Sequence, residues 1–156
     1  MRRELSLMST LLLVITSLSC NDVGTQPDQA WSADHSAIAD PTQRWQAYGV
    51  QDYSLLQIRT CSCDNGGKGF LVTVRGGSIA SVVDPSDGGV VGQQKWGEFK
   101  TVTDLFELIK SIDTTRVASL TVSYDARYGY PRKVLVDSST ITSNDEFGYE
   151  TEIVQH

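Results

Sequence analysis

Apolar residues recur along this chain with two periods, and the change from one to the other marks its elements. Tyr53-Ser-Leu-Leu-Gln-Ile-Arg-Thr-Cys61 predicts a strand, ended by the Asp64-Asn65-Gly66-Gly67 turn. Phe70, Val72 and Val74 then alternate with Leu71, Thr73 and Arg75. Gly76-Gly77 breaks that run before Ser78 to Val83 resumes it, which predicts a hairpin with a two-glycine turn. Asp84-Pro-Ser-Asp-Gly-Gly89 ends the third strand and opens a polar loop to about Lys100. Farther on, Val117 to Tyr124, Lys133 to Asp137 and Gly148 to Val154 predict three more strands.

Helical spacing appears twice. Trp45, Tyr48 and Val50 follow Asp40-Pro41-Thr42-Gln43, an N-cap and an initial proline, so a short helix precedes the first strand. Val102, Leu105, Phe106, Ile109 and Ile112 mark one face of a second helix, introduced by Thr101-Val-Thr-Asp104 at capping-box spacing with Asp in place of the commoner Glu. Strands joined by short turns must pair antiparallel, because a parallel crossover needs about a dozen residues or more. The expected fold is therefore α+β: an antiparallel sheet of about six strands with two helices on one face, in the order helix, three strands, helix, three strands. That order hints at two similar halves sharing one sheet.

The amino terminus has another character. Met1-Arg2-Arg3 is basic, and Leu5 to Leu18 is apolar apart from hydroxyl residues, the pattern of an export signal. The stretch falls short of the ~18 residues that a transmembrane helix needs. Ser17-Leu18-Ser19-Cys20 resembles the lipobox of bacterial lipoproteins, with Leu18 two places before the cysteine where the usual box has leucine three places before. The alternative is an ordinary signal peptide cut near Ser19. The expected organisation is a signal peptide at 1–19, a lipidated Cys20 with a flexible acidic tether to 40, and a single domain at 41–156. The tether carries Asp22, Asp28, Asp34 and Asp40 without Lys or Arg, and Trp31, its one large apolar residue, is either exposed or leans on the domain. Asn21 is not the aspartate that retains some lipoproteins at an inner membrane, which favours an outer-membrane address in a host that has two membranes.

Loss of residues 1–19 removes Arg2, Arg3 and Glu4, so the formal charge of -6 becomes -7. An acidic surface repels phosphate backbones, so nucleic acid is set aside as a partner. The only histidines are His35 in the tether and His156, which leaves histidine-dependent acid-base catalysis without a residue in the domain. Neither a Gly-x-Ser-x-Gly elbow nor a phosphate-cradling glycine loop nor a His-Glu-x-x-His run occurs. Asp84 with Asp87, and Asp145 with Glu146, are close carboxylate pairs that turn chemistry explains. No cofactor and no metal site is expected.

Two local motifs remain. Cys61-Ser62-Cys63 pairs naturally once Cys20 is acylated and the compartment oxidises thiols. On an extended strand two such Cα atoms stand about 6.6 Å apart, near the upper end of disulfide geometry, so the chain must bend there. A structural clip and a thiol-disulfide couple both fit. Against the couple, no cation follows Cys61 closely, although Arg59 stands two places before it and Lys68 beyond the turn. Tyr124-Asp125-Ala126-Arg127-Tyr128-Gly129-Tyr130-Pro131 gathers three tyrosines between two strands. Tyr124, Arg127, Tyr128 and Tyr130 can form a binding surface, or can pack on the sheet while Asp125 and Arg127 fix the turn by a charge-assisted bond.

Trp45, Tyr53-Ser54, the Cys61-x-Cys63 pair, Gly76-Gly77, Thr103-Asp104-Leu105-Phe106 and Tyr124-Asp125 through Tyr130-Pro131 to Asp137 together resemble a group of bacterial exported proteins, domain of unknown function 6174, over roughly residues 42 to 154. The resemblance implies a compact exported domain, often behind a lipoprotein signal, and brings no catalytic residues. The expected function is a non-catalytic binding or structural module of the cell envelope, held to a membrane by its lipid and facing an envelope protein or a small ligand. The alternative is a thiol-disulfide protein using Cys61 and Cys63.

Overall fold

A computed structural model describes residues 27–142 and 145–155. The leader at 1–19 and Cys20 lie outside the described residues. The element order is α1 (Pro27–Ser32), α2 (Pro41–Tyr48), β1 (Tyr53–Thr60), β2 (Gly69–Arg75), β3 (Ser78–Val83), a 3-10 helix (Gln93–Glu98), α3 (Val102–Ser111), β4 (Ser119–Tyr124), β5 (Pro131–Asp137) and β6 (Phe147–Gln155). The strands make one six-stranded sheet in the order β3-β2-β1-β6-β5-β4. Every pairing is antiparallel. The chain is thus α+β, as its apolar periods predict.

Both helix starts follow from their sequences. The Asp40 carboxylate accepts from the Gln43 N–H at 2.8 Å, and Pro41 occupies the first turn, where an N–H would have no partner. α2 ends at Gly49, whose φ of 62° is a left-handed cap. Thr101 and Asp104 form a complete capping box on α3: the Asp104 N–H donates to the Thr101 hydroxyl at 3.1 Å, and the Thr101 N–H to the Asp104 carboxylate at 2.9 Å. In the turn between β2 and β3, Gly76 and Gly77 have φ of 54° and 75°, conformations that glycine alone adopts without strain.

The alternation of each strand sorts its side chains onto two faces. Tyr53, Leu55 and Gln57 of β1 share one face with Phe70, Val72 and Val74 of β2. Thr151 of β6 and Val134 and Val136 of β5 continue it. The helices cover this face, so Trp45 from α2 and Val102 and Phe106 from α3 join Leu55, Val72 and Val74 in one core. Two buried hydrogen-bonding groups tie the layers together. The Tyr53 hydroxyl accepts from the Val102 N–H at 2.9 Å, and the Gln57 amide exchanges two bonds with the Lys100 main chain.

Three features depart from the sequence reading. Of the segment from 21 to 40, the described part carries α1, and of the two places open to Trp31 it takes the one against the domain, at only 4% exposed. Trp31 meets Trp45 and Tyr128 edge-on, with ring centroids 6.0 and 5.0 Å away, so an aromatic residue that composition alone assigns to a linker belongs to the core. The loop after β3 is not simply polar. Val90 bridges to Val83, Trp96 donates its indole N–H to the Val91 carbonyl at 3.0 Å, and Phe99 is buried against Phe70. Finally, the two groups of three strands do not repeat. The inner strand of the first group is its first, β1, whereas the inner strand of the second is its last, β6.

Candidate functional site

At the end of β1 the chain leaves the sheet in a tight bend that holds Cys61 and Cys63 as a disulfide with Cα atoms 5.2 Å apart. The bend that the spacing of the pair demands is therefore present. Backbone bonds fold it: the Gly67 N–H donates to the Arg59 carbonyl at 2.7 Å, and the Gly66 N–H to the Cys63 carbonyl at 3.0 Å. A Cβ on Gly66 would stand 2.2 Å from the Cys61 carbonyl oxygen, so glycine is required there.

Arg59 governs the surroundings of the sulfurs. It lies near the end of β1, two residues before Cys61, where the chain turns out of the sheet. Its guanidinium divides its donors: Nη1 forms an ion pair with Glu98, while Nη2 lies 2.9 Å from Cys63 Sγ and 3.8 Å from Cys61 Sγ. The side chain is 12% exposed and rests 5.9 Å from the centroid of the Phe99 ring. Tyr149 closes the other side by donating its hydroxyl to the Glu98 carbonyl at 3.2 Å. Burial raises the Tyr149 phenol above its ordinary pKa, which keeps it a neutral donor. Cys63 is exposed, and a cleft of ≈ 270 Å³ beside it is bounded by Phe147 and Tyr149. The sequence offers two cations near the pair, Arg59 before Cys61 and Lys68 beyond the turn. Arg59 is visible in the sequence, but its contact with Cys63 comes from the bend. Lys68, the other candidate, is turned away to pair with Asp84.

The tyrosine bend is built into the core. Tyr130 is 4% exposed, meets Trp45, and accepts from the Ile153 N–H at 3.3 Å. Tyr128 is half-buried between Trp31 and Tyr48, with centroids 5.0 and 5.1 Å away. Asp125 fixes the turn through the backbone N–H groups of Arg127 and Tyr128, at 2.9 and 2.7 Å, rather than through the Arg127 side chain. That guanidinium instead covers the Tyr128 ring at 5.0 Å and donates to the Trp31 carbonyl at 3.4 Å. Gly129, at φ 83°, passes so close to α2 that a Cβ would stand 2.5 Å from the Pro41 carbonyl oxygen. Of the four residues, Tyr124 and Arg127 are the exposed ones, and Tyr124 stacks on Phe106 at 6.2 Å.

The face of the sheet opposite the helices carries an arrangement that the sequence motifs do not announce. Leu56 opposes Leu71, Leu71 opposes Val83, and Val83 bridges to Val90, so four apolar side chains form a row across the strands. Ile58 lies beside the row, and Gly69 opposite it leaves room for both neighbours, since a Cβ there would stand 3.3 Å from Leu56 Cδ1. Val90 is 76% and Val154 52% exposed. The row ends at Glu152, next to the Lys133–Glu150 ion pair. Elsewhere, Asp137, Asp145 and Glu146 bring carboxylate oxygens within 4.8 Å of one another at the β5–β6 connection.

Fold and sites together define an α+β domain with a half-covered antiparallel sheet and a cystine at the end of a central strand. Residues 37–156 match the model of a family of unknown function, DUF6174, and the chain belongs to that family. No curated protein matches the chain, and no solved structure does. The motifs that carry the resemblance, from Trp45 to Asp137, all lie inside the matched span.

Proposed function

We propose that this chain is an exported protein anchored through Cys20 in the cell envelope, and that its domain binds another envelope protein on the uncovered face of the sheet. The observation that carries the reading is the apolar row Leu56, Leu71, Val83 and Val90, which no helix covers among the described residues. Contiguous apolar surface with a charged rim marks interaction sites, because removing it from water on association is favourable. The row runs across three strands and onto the loop after β3, an extent that suits a protein surface.

The position of α1 adds a geometric reason. With α1 beginning at Pro27, the seven residues back to Cys20 reach at most ~25 Å even if fully extended. A domain on so short a leash stays near the bilayer. The leash joins α1 on the helix-covered side of the sheet, so it does not obstruct the opposite face.

A photo-crosslinking residue placed in living cells at Leu71 on the open face, and separately at Glu107 on α3, tests this reading. A discrete protein adduct is expected from position 71 only, and its loss is expected in the Cys20→Ala chain. Equal adducts from both positions, or none from position 71, would overturn it.

A further inference from the structure

We infer that the Cys61–Cys63 corner is a thiol-disulfide exchange site, in which the exposed Cys63 bonds transiently to a partner protein's thiol, Cys61 resolves, and Arg59 stabilises the thiolate of Cys63. The inference is independent of the sheet face and stands on the geometry of the guanidinium. A cation within hydrogen-bond reach of a sulfur favours its ionised form, and the thiolate is the species that attacks a disulfide. Arg59 has little freedom to leave, because Glu98 and Phe99 hold it from two other sides and its side chain is 12% exposed. The ion pair with Glu98 engages Nη1 and leaves Nη2 for sulfur.

The two sulfurs are not equivalent. Nη2 lies 2.9 Å from Cys63 Sγ against 3.8 Å from Cys61 Sγ, and Cys63 is the more exposed. The substrate class is a protein dithiol, or in the reverse direction a protein disulfide, on a segment able to lie against Phe147, which is 37% exposed at the edge of the same cleft.

Exchange balances in two steps. A thiolate of the partner attacks Cys63 Sγ; the Cys61–Cys63 bond breaks, a mixed disulfide forms, and Cys61 leaves with the electron pair and takes a proton. The partner's second thiolate then attacks its own sulfur in the mixed disulfide and releases Cys63 as a thiolate beside Arg59. Two electrons pass from the partner dithiol to this chain. Of the partner's two protons one remains on Cys61 and the other goes to water. A second protein disulfide restores the cystine by the same steps in reverse.

The test uses the full acylated chain in detergent, reduced with dithiothreitol and then freed of it, with iodoacetamide alkylation of each cysteine followed by mass spectrometry across pH. At pH 7 Cys63 should react roughly tenfold faster than Cys61, and roughly tenfold faster than Cys63 of Arg59→Gln, with Arg59→Lys retaining most of the advantage. Wild type unfolded in urea should lose the asymmetry, which keeps the test valid if Arg59→Gln folds poorly. In glutathione buffers the wild-type pair should be about tenfold easier to reduce than that of Arg59→Gln, a difference of about 30 mV. Superimposable alkylation profiles for wild type and Arg59→Gln, or for folded and unfolded wild type, would overturn the inference. So would a pair that stays oxidised in a large excess of reduced glutathione.

Discussion

Gln57 and Lys100 are joined by two hydrogen bonds across the core: Gln57 Nε2 donates to the Lys100 carbonyl at 3.0 Å, and the Lys100 N–H donates to Gln57 Oε1 at 2.9 Å. The amide of a fully buried side chain thereby stands in for the neighbouring strand that this segment lacks. It also fixes where the chain enters α3, one residue before the capping box. Gln57→Leu would keep the volume and leave both Lys100 groups without a partner. The expected loss is about 2–4 kcal/mol, read as a lower urea midpoint with an unchanged slope.

Trp31 belongs to the core although it precedes the span of the family match. Its ring is buried between Trp45 and Tyr128, so Trp31→Ala should cost about 3–5 kcal/mol. A chain beginning at residue 37, where the family match begins, should be destabilised to a similar extent relative to one beginning at residue 27. Equal thermal midpoints for the two would show that the segment contributes nothing.

Lys68 and Asp84 clamp the cystine bend to the end of β3, and Ser86 bonds the same carboxylate. The Lys68 hydrogen bond, with those of Ser86, lowers the Asp84 carboxyl to about 2 from an ordinary 3.8. A depressed pKa contributes stability that is complete above the unfolded value and is lost as pH falls through the folded one. Stability should therefore decline between about pH 4 and pH 2, and Asp84→Asn should flatten that part of the profile in acid unfolding followed by circular dichroism.

Most of the sheet was legible because its strands alternate and its turns are marked by glycine. Phe70, Val72 and Val74 have one residue between them, and Gly76-Gly77 can do little but turn. Gln57 and Trp31 were not legible for opposite reasons. A glutamine in a strand carries no sign that its amide will be paired inside, and a tryptophan among aspartates has the composition of a linker until α2 and the tyrosine bend supply its walls. The cystine was read from cysteine count, whereas the Arg59 contact depends on how the bend brings Cys63 back over the strand. The apolar row was hidden because Leu56, Leu71, Val83 and Val90 are far apart in sequence and become neighbours only through register.

Burial raises the Tyr53 phenol to about 12, although the Val102 N–H bonded to its oxygen opposes the shift. The sign is that of a raised pKa. Stability is intact below the ordinary value of 10.0 and is lost as pH rises through the folded one. Ultraviolet titration should show a tyrosine that ionises only near the pH at which the fold opens, and Tyr53→Phe should abolish that component. The same substitution removes the partner of the Val102 N–H, at a cost of about 1–3 kcal/mol.

The placement of β1 beside β6 sets the timing of assembly. Those two strands meet at the middle of the sheet, with Leu55 opposite Ile153, so the central seam joins the earliest strand of the domain to the latest. The β1–β2–β3 group can zip from its own turns and β4 with β5 from theirs, but the two groups share no seam until β6 is in place. Until β6 pairs with both β1 and β5 the chain holds two unjoined groups of strands, and the fold locks only when that non-local pairing forms.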